Sequence, residues 1–288
     1  MYSVRNKIGD IIAVWGDSEG QGNVSTTAAM IAARLSMEDQ GNKKVLMLST
    51  DRGPYDGVTI LNPVVSDDYS MDNLILLTAA GGLKTEEAFM AYTIKVGKNL
   101  DVMHSSNDFK RLSADSVRAY RKILDYAATI YDYVVVDVGG RISAMSEMIV
   151  SHADSVMLCV SQNMKHLTLL KKSAVLSTYP PLVNKYVAVI VTRYTELPYL
   201  DMKQMGKYIG CTDMFCVSED MEIHKAVSQC TLVELVNSLY ETGSGHFGFL
   251  KKKGSDVTAT ELDAIVKAIY ELHAAQEAKK TAKEEDED

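Results

Sequence analysis

Apolar residues along this chain come in short unbroken runs, separated by longer stretches in which they recur at helical spacing. The runs are Asp10–Trp15, Lys44–Ser49, Leu100–His104, Tyr133–Val138, Ser155–Val160, Tyr186–Thr192 and Met214–Val217. Two of them, "YVVVDV" and "YVAVIVT", are almost wholly β-branched or aromatic, which suits strands covered on both faces, as in a parallel sheet. Helices are expected between them at Ser25–Met37, Ser113–Thr129, Arg141–Ser151, Leu167–Leu176, Leu200–Tyr208 and Thr258–Ala275. In "ADSVRAYRKILDYAATI", Val117, Tyr120, Leu124 and Ala127 fall on one helical face. Strands alternating with helices predict βαβ units, and so an α/β fold: a doubly wound, mostly parallel sheet flanked by helices. No internal repeat and no Pro- or Gly-rich linker divides the chain. The pattern reads as one domain over 1–275, then a charged, disordered tail over 276–288, "QEAKKTAKEEDED".

Composition agrees with a folded globular chain: 288 residues, 47% apolar and 24% charged. The formal charge is -8, with acidic residues gathered in Glu284–Asp288. That balance argues against a nucleic-acid partner, a local basic patch aside. No apolar run approaches the roughly 20 residues that span a bilayer. The start, "MYSVRNKIGD", has no apolar core behind its charges and does not read as a signal peptide. Cys159, Cys211, Cys216 and Cys230 are scattered, with no zinc-like spacing, and read as reduced thiols of a cytoplasmic protein.

In a doubly wound sheet, ligands bind beyond the carboxyl ends of the strands. Here those ends are Gly16–Ser25, Thr50–Asp56, Asp137–Arg141, Ser161–Lys165 and Thr192–Glu196. The first carries "DSEGQGNVSTTAAMIA" directly after "DIIAVWG", which is strand, Gly-rich turn, helix: the order of parts in a phosphate-binding loop. Free amides at a helix N-terminus attract phosphate. Gly20 and Gly22 let the backbone come close, Asn23 tolerates positive φ, and the Ser25 hydroxyl suits Mg²⁺. A plain tight turn with Ser25 or Thr26 as helix cap explains the same residues. The loop has no lysine.

The stretches "IIAVWGDSEGQGNVSTTAAMIAARL", "KKVLMLSTD", "YDYVVVDVGG", "ADSVMLCVSQN" and "AVIVTRY", in this order, resemble the ParA/MinD-type P-loop NTPases, and "MEIHKAVSQCTLVELV" is similar to the family's late segment, a short helix before an apolar turn. The resemblance implies a parallel doubly wound sheet, ATP with Mg²⁺ as cofactors, and dimerisation across the nucleotide. The family's loop, roughly K-G-G-x-G-K-T-T, falls on Glu19, Gly20, Gln21, Gly22, Asn23, Val24, Ser25 and Thr26. Glu19 replaces the signature lysine and Val24 the phosphate-gripping one. The resemblance places nucleotide on Gly20 to Thr26. It places Mg²⁺ on Ser25 and Asp137, the attacking water on Asp51, and adenine near Thr192 and Arg193. Ser49 stands where the family has the first Asp of a D-x-D. The other reading of Asp137 is as the cap of the helix expected from Arg141.

Loss of both lysines removes charge from a phosphoryl-transfer transition state, so slow or absent hydrolysis is expected. Members with altered loops resemble the TadZ/CpaE group, which implies a localisation or assembly factor for a pilus (Tad-type) or secretion system, with a protein partner. An active partitioning ATPase and a scaffold without nucleotide are the alternatives. The apolar face Leu262, Ile265, Ile269 and Leu272 spaces like ordinary helix packing, which argues against docking of this end on a membrane. A homodimer that does not need ATP is expected, through the loops Asp51–Gly57 and Gly139–Met148, where Tyr55, Met145 and Met148 read either as an apolar centre or as core and loop packing.

Overall fold

In the computed structural model, the described residues are 9–16, 22–50, 57–62, 70–105, 114–173, 179, 182, 185–240 and 253–287. The strands are β1 Asp10–Gly16, β2 Val45–Ser49, β3 Ile94–Lys95, β4 Leu100–Met103, β5 Tyr133–Gly139, β6 Ser155–Ser161, β7 Tyr186–Tyr194 and β8 Met214–Ser218. The helices are α1 Val24–Leu35, α2 Glu38–Gly41, α3 Met71–Ala79, α4 Glu86–Met90, α5 Ala114–Ala127, α6 Ala144–His152, α7 Met164–Ser173, α8 Met202–Ile209, α9 Met221–Gln229, α10 Leu232–Tyr240 and α11 Lys253–Glu287.

The strands form one sheet in the order β3-β4-β2-β5-β1-β6-β7-β8. Every pairing is parallel except β3 with β4. The continuous apolar runs are used as their composition implies: β1, β2 and β5 are buried throughout. Alternate residues feed two cores. Ile11, Ala13 and Trp15 pack with Leu74, Tyr120, Ile149, Leu167 and Met205, under α3, α5, α6, α7 and α8. Ile12 and Val14 pack with Ala28, Ile223, Leu232, Leu262 and Ile265, under α1, α9, α10 and α11. The chain winds to one side of β1 and then, through β6, β7 and β8, to the other, so β1 is the switch point where a ligand crevice opens.

Three sequence expectations change at the element level. β3 and the helices α3 and α4 carry no long periodic signal and go unread in the sequence. The late segment forms two helices, α9 and α10, where an apolar turn was expected after the first. The last helix runs as backbone through 276–287, the stretch that reads as a disordered tail, because its alanines, glutamates and lysines are strong helix formers. No described helix is long and apolar enough to cross a membrane.

Candidate phosphate and cation site

At the head of β1, backbone geometry is set before any side chain acts. Gly22 is confined: a Cβ there would lie 3.2 Å from Val24 Cγ2 and 3.3 Å from the Cys159 carbonyl. Asn23 follows with φ 47 and ψ 36, left-handed, as the residue before α1. Its carbonyl accepts from the Thr27 amide at 3.1 Å and the Thr27 hydroxyl at 2.9 Å. Neither Ser25 nor Thr26 is the cap, because Asn23 holds that place and makes no side-chain cap bond. The first turn leaves the amides of Val24, Ser25 and Thr26 without intrahelical acceptors, and it carries no acidic residue. That is the positive end of a helix dipole aimed at the crevice. Val24, at the family's lysine position, is 7% exposed and belongs to the core beneath α1.

Asp137, near the end of β5, is fully buried. Its Oδ1 accepts from the Gly139 amide at 3.1 Å, and its Oδ2 from the Ser49 hydroxyl at 3.3 Å. The parallel register sets Ser49 opposite Asp137, so an Asp at 49 would place two carboxylates side by side. Asp137 does not cap the following helix; Ser143 does, in a reciprocal capping box with Ser146. Tyr120, buried under the sheet, has its phenol pushed far up by burial and, secondarily, by the charge of Asp137.

Ser25 and Asp137 come together across one residue. Gly57 is buried, and a Cβ built on it would overlap Asp137 Oδ2 while lying 2.8 Å from Ser25 Oγ. A hydroxyl and a carboxylate sharing one small space are oxygen donors of the kind Mg²⁺ takes, so the donor chemistry fits the expected cation. No cluster of three or more His, Cys, Asp or Glu suited to a metal occurs among the described residues.

Other expected site residues are placed elsewhere or not described. Thr192 is buried at the end of β7 and donates to the Val160 carbonyl at 3.3 Å, so its hydroxyl serves the sheet. Arg193 sits at φ 52, where the pairing of β7 with β8 slips between Thr192 and Tyr194. Its guanidinium grips Glu219 through Nε at 2.7 Å and Nη2 at 3.0 Å, and His224 Nε2 shares Glu219 Oε1 at 2.7 Å. The Arg193 bond, with His224 behind it, holds the Glu219 carboxyl at about 2. Glu19, Gly20, Gln21, Asp51 and Tyr55 lie outside the described residues. Met145 is buried in the core under α6 and Met148 packs against that core. Met145 therefore takes the core-packing reading, while Met148 stays partly exposed at the edge of that core. Among the described residues, the exposed apolar side chains of this edge are Ile142 after β5, Met164 after β6, Tyr199 after β7 and Met221 after β8. The sequence hides them, since their exposure depends on how each loop leaves the sheet. Around them, Gln162 ties the loops after β6 and β7 by accepting from the Thr195 amide at 2.9 Å and donating to the Leu200 carbonyl at 2.8 Å.

No protein-family model matches the chain, and no curated protein does. Solved structures do. A ParA family ATPase from Chlorobium tepidum TLS is similar with TM-score 0.68 and 14% identity, over 90% of this chain and 99% of that one. The septum site-determining protein MinD complexed with Mg-ADP, from Pyrococcus horikoshii OT3, is similar with TM-score 0.65 and 14% identity, over 91% and 96%. The MinC:MinD cell division protein complex of Aquifex aeolicus gives TM-score 0.65 and 15% identity, over 91% and 96%. These likenesses establish the ParA/MinD-type P-loop NTPase fold.

Proposed function

We propose that this chain is a ParA/MinD-like localisation or assembly factor that binds ATP with Mg²⁺ and hydrolyses it slowly or not at all. One observation carries the reading: Ser25 and Asp137 keep a shared oxygen site at the head of α1, while the lysine position holds a core valine. The amides of α1 supply the anion attraction, Ser25 and Asp137 would hold the cation, and no side chain at 24 reaches the phosphates. The MinD structure with Mg-ADP on the same fold supports the cofactor assignment. The altered loop, through its resemblance to the TadZ/CpaE branch, supports service to a pilus or secretion system. The MinC:MinD complex supports a protein partner as the fold's mode of action. Isothermal titration with ATP, with and without Mg²⁺, tests the reading. Binding that strengthens with Mg²⁺ and falls in Asp137→Asn is expected. Absence of binding in both conditions at millimolar nucleotide defeats it.

A further inference from the structure

The contact of Gly57 with the Ser25–Asp137 pair bears on how that site is regulated. Residues 57–61 form a turn, closed by the Leu61 and Asn62 amides donating to the Val58 carbonyl at 2.9 and 3.0 Å. Its apolar side chains are anchored in the core under α1: Val58 is 0% and Leu61 7% exposed, in one cluster with Val24 and Ala28. So anchored, the turn presents Gly57 to the gap. The space in which a side chain of residue 57 would grow is bounded by Asp137 Oδ2, Ser25 Oγ and Ser25 Cβ. Gly57 is thus the residue against which both oxygen donors close, and only a residue without Cβ seats there.

We propose that the 57–61 turn is a built-in occupant of the cation position, so that its seat and a cation held by Ser25 and Asp137 exclude one another. The inference rests on the nucleotide reading above and adds its regulation. Oxygen donors hold Mg²⁺ at close to 2.1 Å. A cation cannot reach Oδ2 and the Ser25 hydroxyl from the side that Gly57 fills while the turn is seated. Binding then selects the unseated turn, and the observed affinity is the intrinsic one reduced by the unseated fraction. Anything that lifts Val58 and Leu61 from their pocket raises affinity for Mg²⁺–nucleotide without touching a ligand group.

The test uses two variants of the full chain with different chemistry. Gly57→Ala places a methyl against Asp137 Oδ2; Val58→Thr weakens the anchor and leaves Gly57 in place. Titration of Mg²⁺–ATP and of Mn²⁺ alone is paired with amide exchange at Leu61 and Asn62. Both variants are expected to bind Mg²⁺–ATP roughly tenfold more tightly than the parent. Their Leu61 and Asn62 amides exchange faster without ligand, as the parent's do once nucleotide is bound. Weaker binding in Gly57→Ala with those amides still protected overturns the proposal and makes Gly57 a wall of the site. Tight binding by the parent with the amides protected overturns it too, while leaving the nucleotide reading intact. If the variants lose amide protection and still take up neither Mn²⁺ nor nucleotide, the nucleotide reading fails and the competition fails with it.

Discussion

Ser49 shows how one side chain adapts the buried edge of a site. Its hydroxyl donates to Asp137 Oδ2, where a second carboxylate would repel a charge already out of water. Ser49→Ala is expected to lower stability by about 1 kcal/mol, the scale of one lost hydrogen bond to a buried group, measured as a shift in urea midpoint at constant slope. Glu219 offers a pH test. Arg193 and His224 hold its carboxyl at about 2, below the ordinary 4.5. A depressed carboxylate contributes stability that is present above pH 4.5 and is lost as pH falls toward 2. Because Glu219 is partly exposed and Arg193 more so, water screens the pair, that contribution is small, and the cleaner measurement is spectroscopic. In Arg193→Ala, carboxyl NMR is expected to show Glu219 titrating closer to its ordinary range; an unchanged midpoint removes Arg193 as the cause. Asn23 was legible from sequence as the residue that tolerates positive φ. The pairing of Arg193 with Glu219 was not, because it depends on the slip between β7 and β8, which no local pattern announces.

At the scale of elements, the long parallel strands were legible because continuous burial on both faces demands continuous apolar runs. β3 has two residues, Ile94 and Lys95, too few for any period to show. The helix α11 was half legible. Its apolar face was read as packing, and Leu262, Ile265 and Ile269 are indeed core. The same helix is tied to the sheet by polar contacts that spacing does not reveal. Glu261 Oε2 accepts from the Ser218 amide at 2.8 Å, Glu261 Oε1 accepts from the Cys216 thiol at 3.2 Å, and burial pushes that thiol up to about 12. Near the other end of the β1 strand, His273 pairs with Asp10 in a buried contact. Ile265→Ala is expected to cost about 2–4 kcal/mol in chemical denaturation, as for a large core aliphatic that leaves a cavity. Glu261→Gln should cost less, since the amide oxygen still accepts from Ser218. The reverse order would show that the polar clasp, rather than the apolar face, holds the helix.

At the scale of the molecule, fold and site differ in how far sequence reaches them. The order of strand-end motifs specifies the sheet, whereas the meeting of Ser25, Asp137 and Gly57 requires a helix N-terminus, a strand end and a turn, far apart in the chain, to close on one point. Val24 illustrates the consequence. From sequence it is a missing cation; in the fold it is also part of the core, so Val24→Lys asks a charge to leave an apolar pocket. That variant is expected to melt several degrees lower, and the parent to turn over ATP far more slowly than complete-loop ATPases of this fold. A parent rate equal to theirs would overturn the account of the loop. Association is expected to be independent of nucleotide and to involve the exposed edge of Ile142, Met164, Tyr199 and Met221. Light scattering with no nucleotide, ADP and ATP–Mg²⁺ checks this, with Tyr199→Asp lowering the dimer population; a dimer seen only with ATP contradicts it. The chain also carries its own optical reporter. It has a single tryptophan, Trp15, 3% exposed and stacked on Tyr179 at 5.6 Å between ring centroids. Trp15 precedes the loop by one residue and lies across from Gly139, two residues beyond Asp137. Its emission is expected to be blue and is free of overlap from other indoles, so a rearrangement at the head of β1 that wets this ring would register as a red shift without a label.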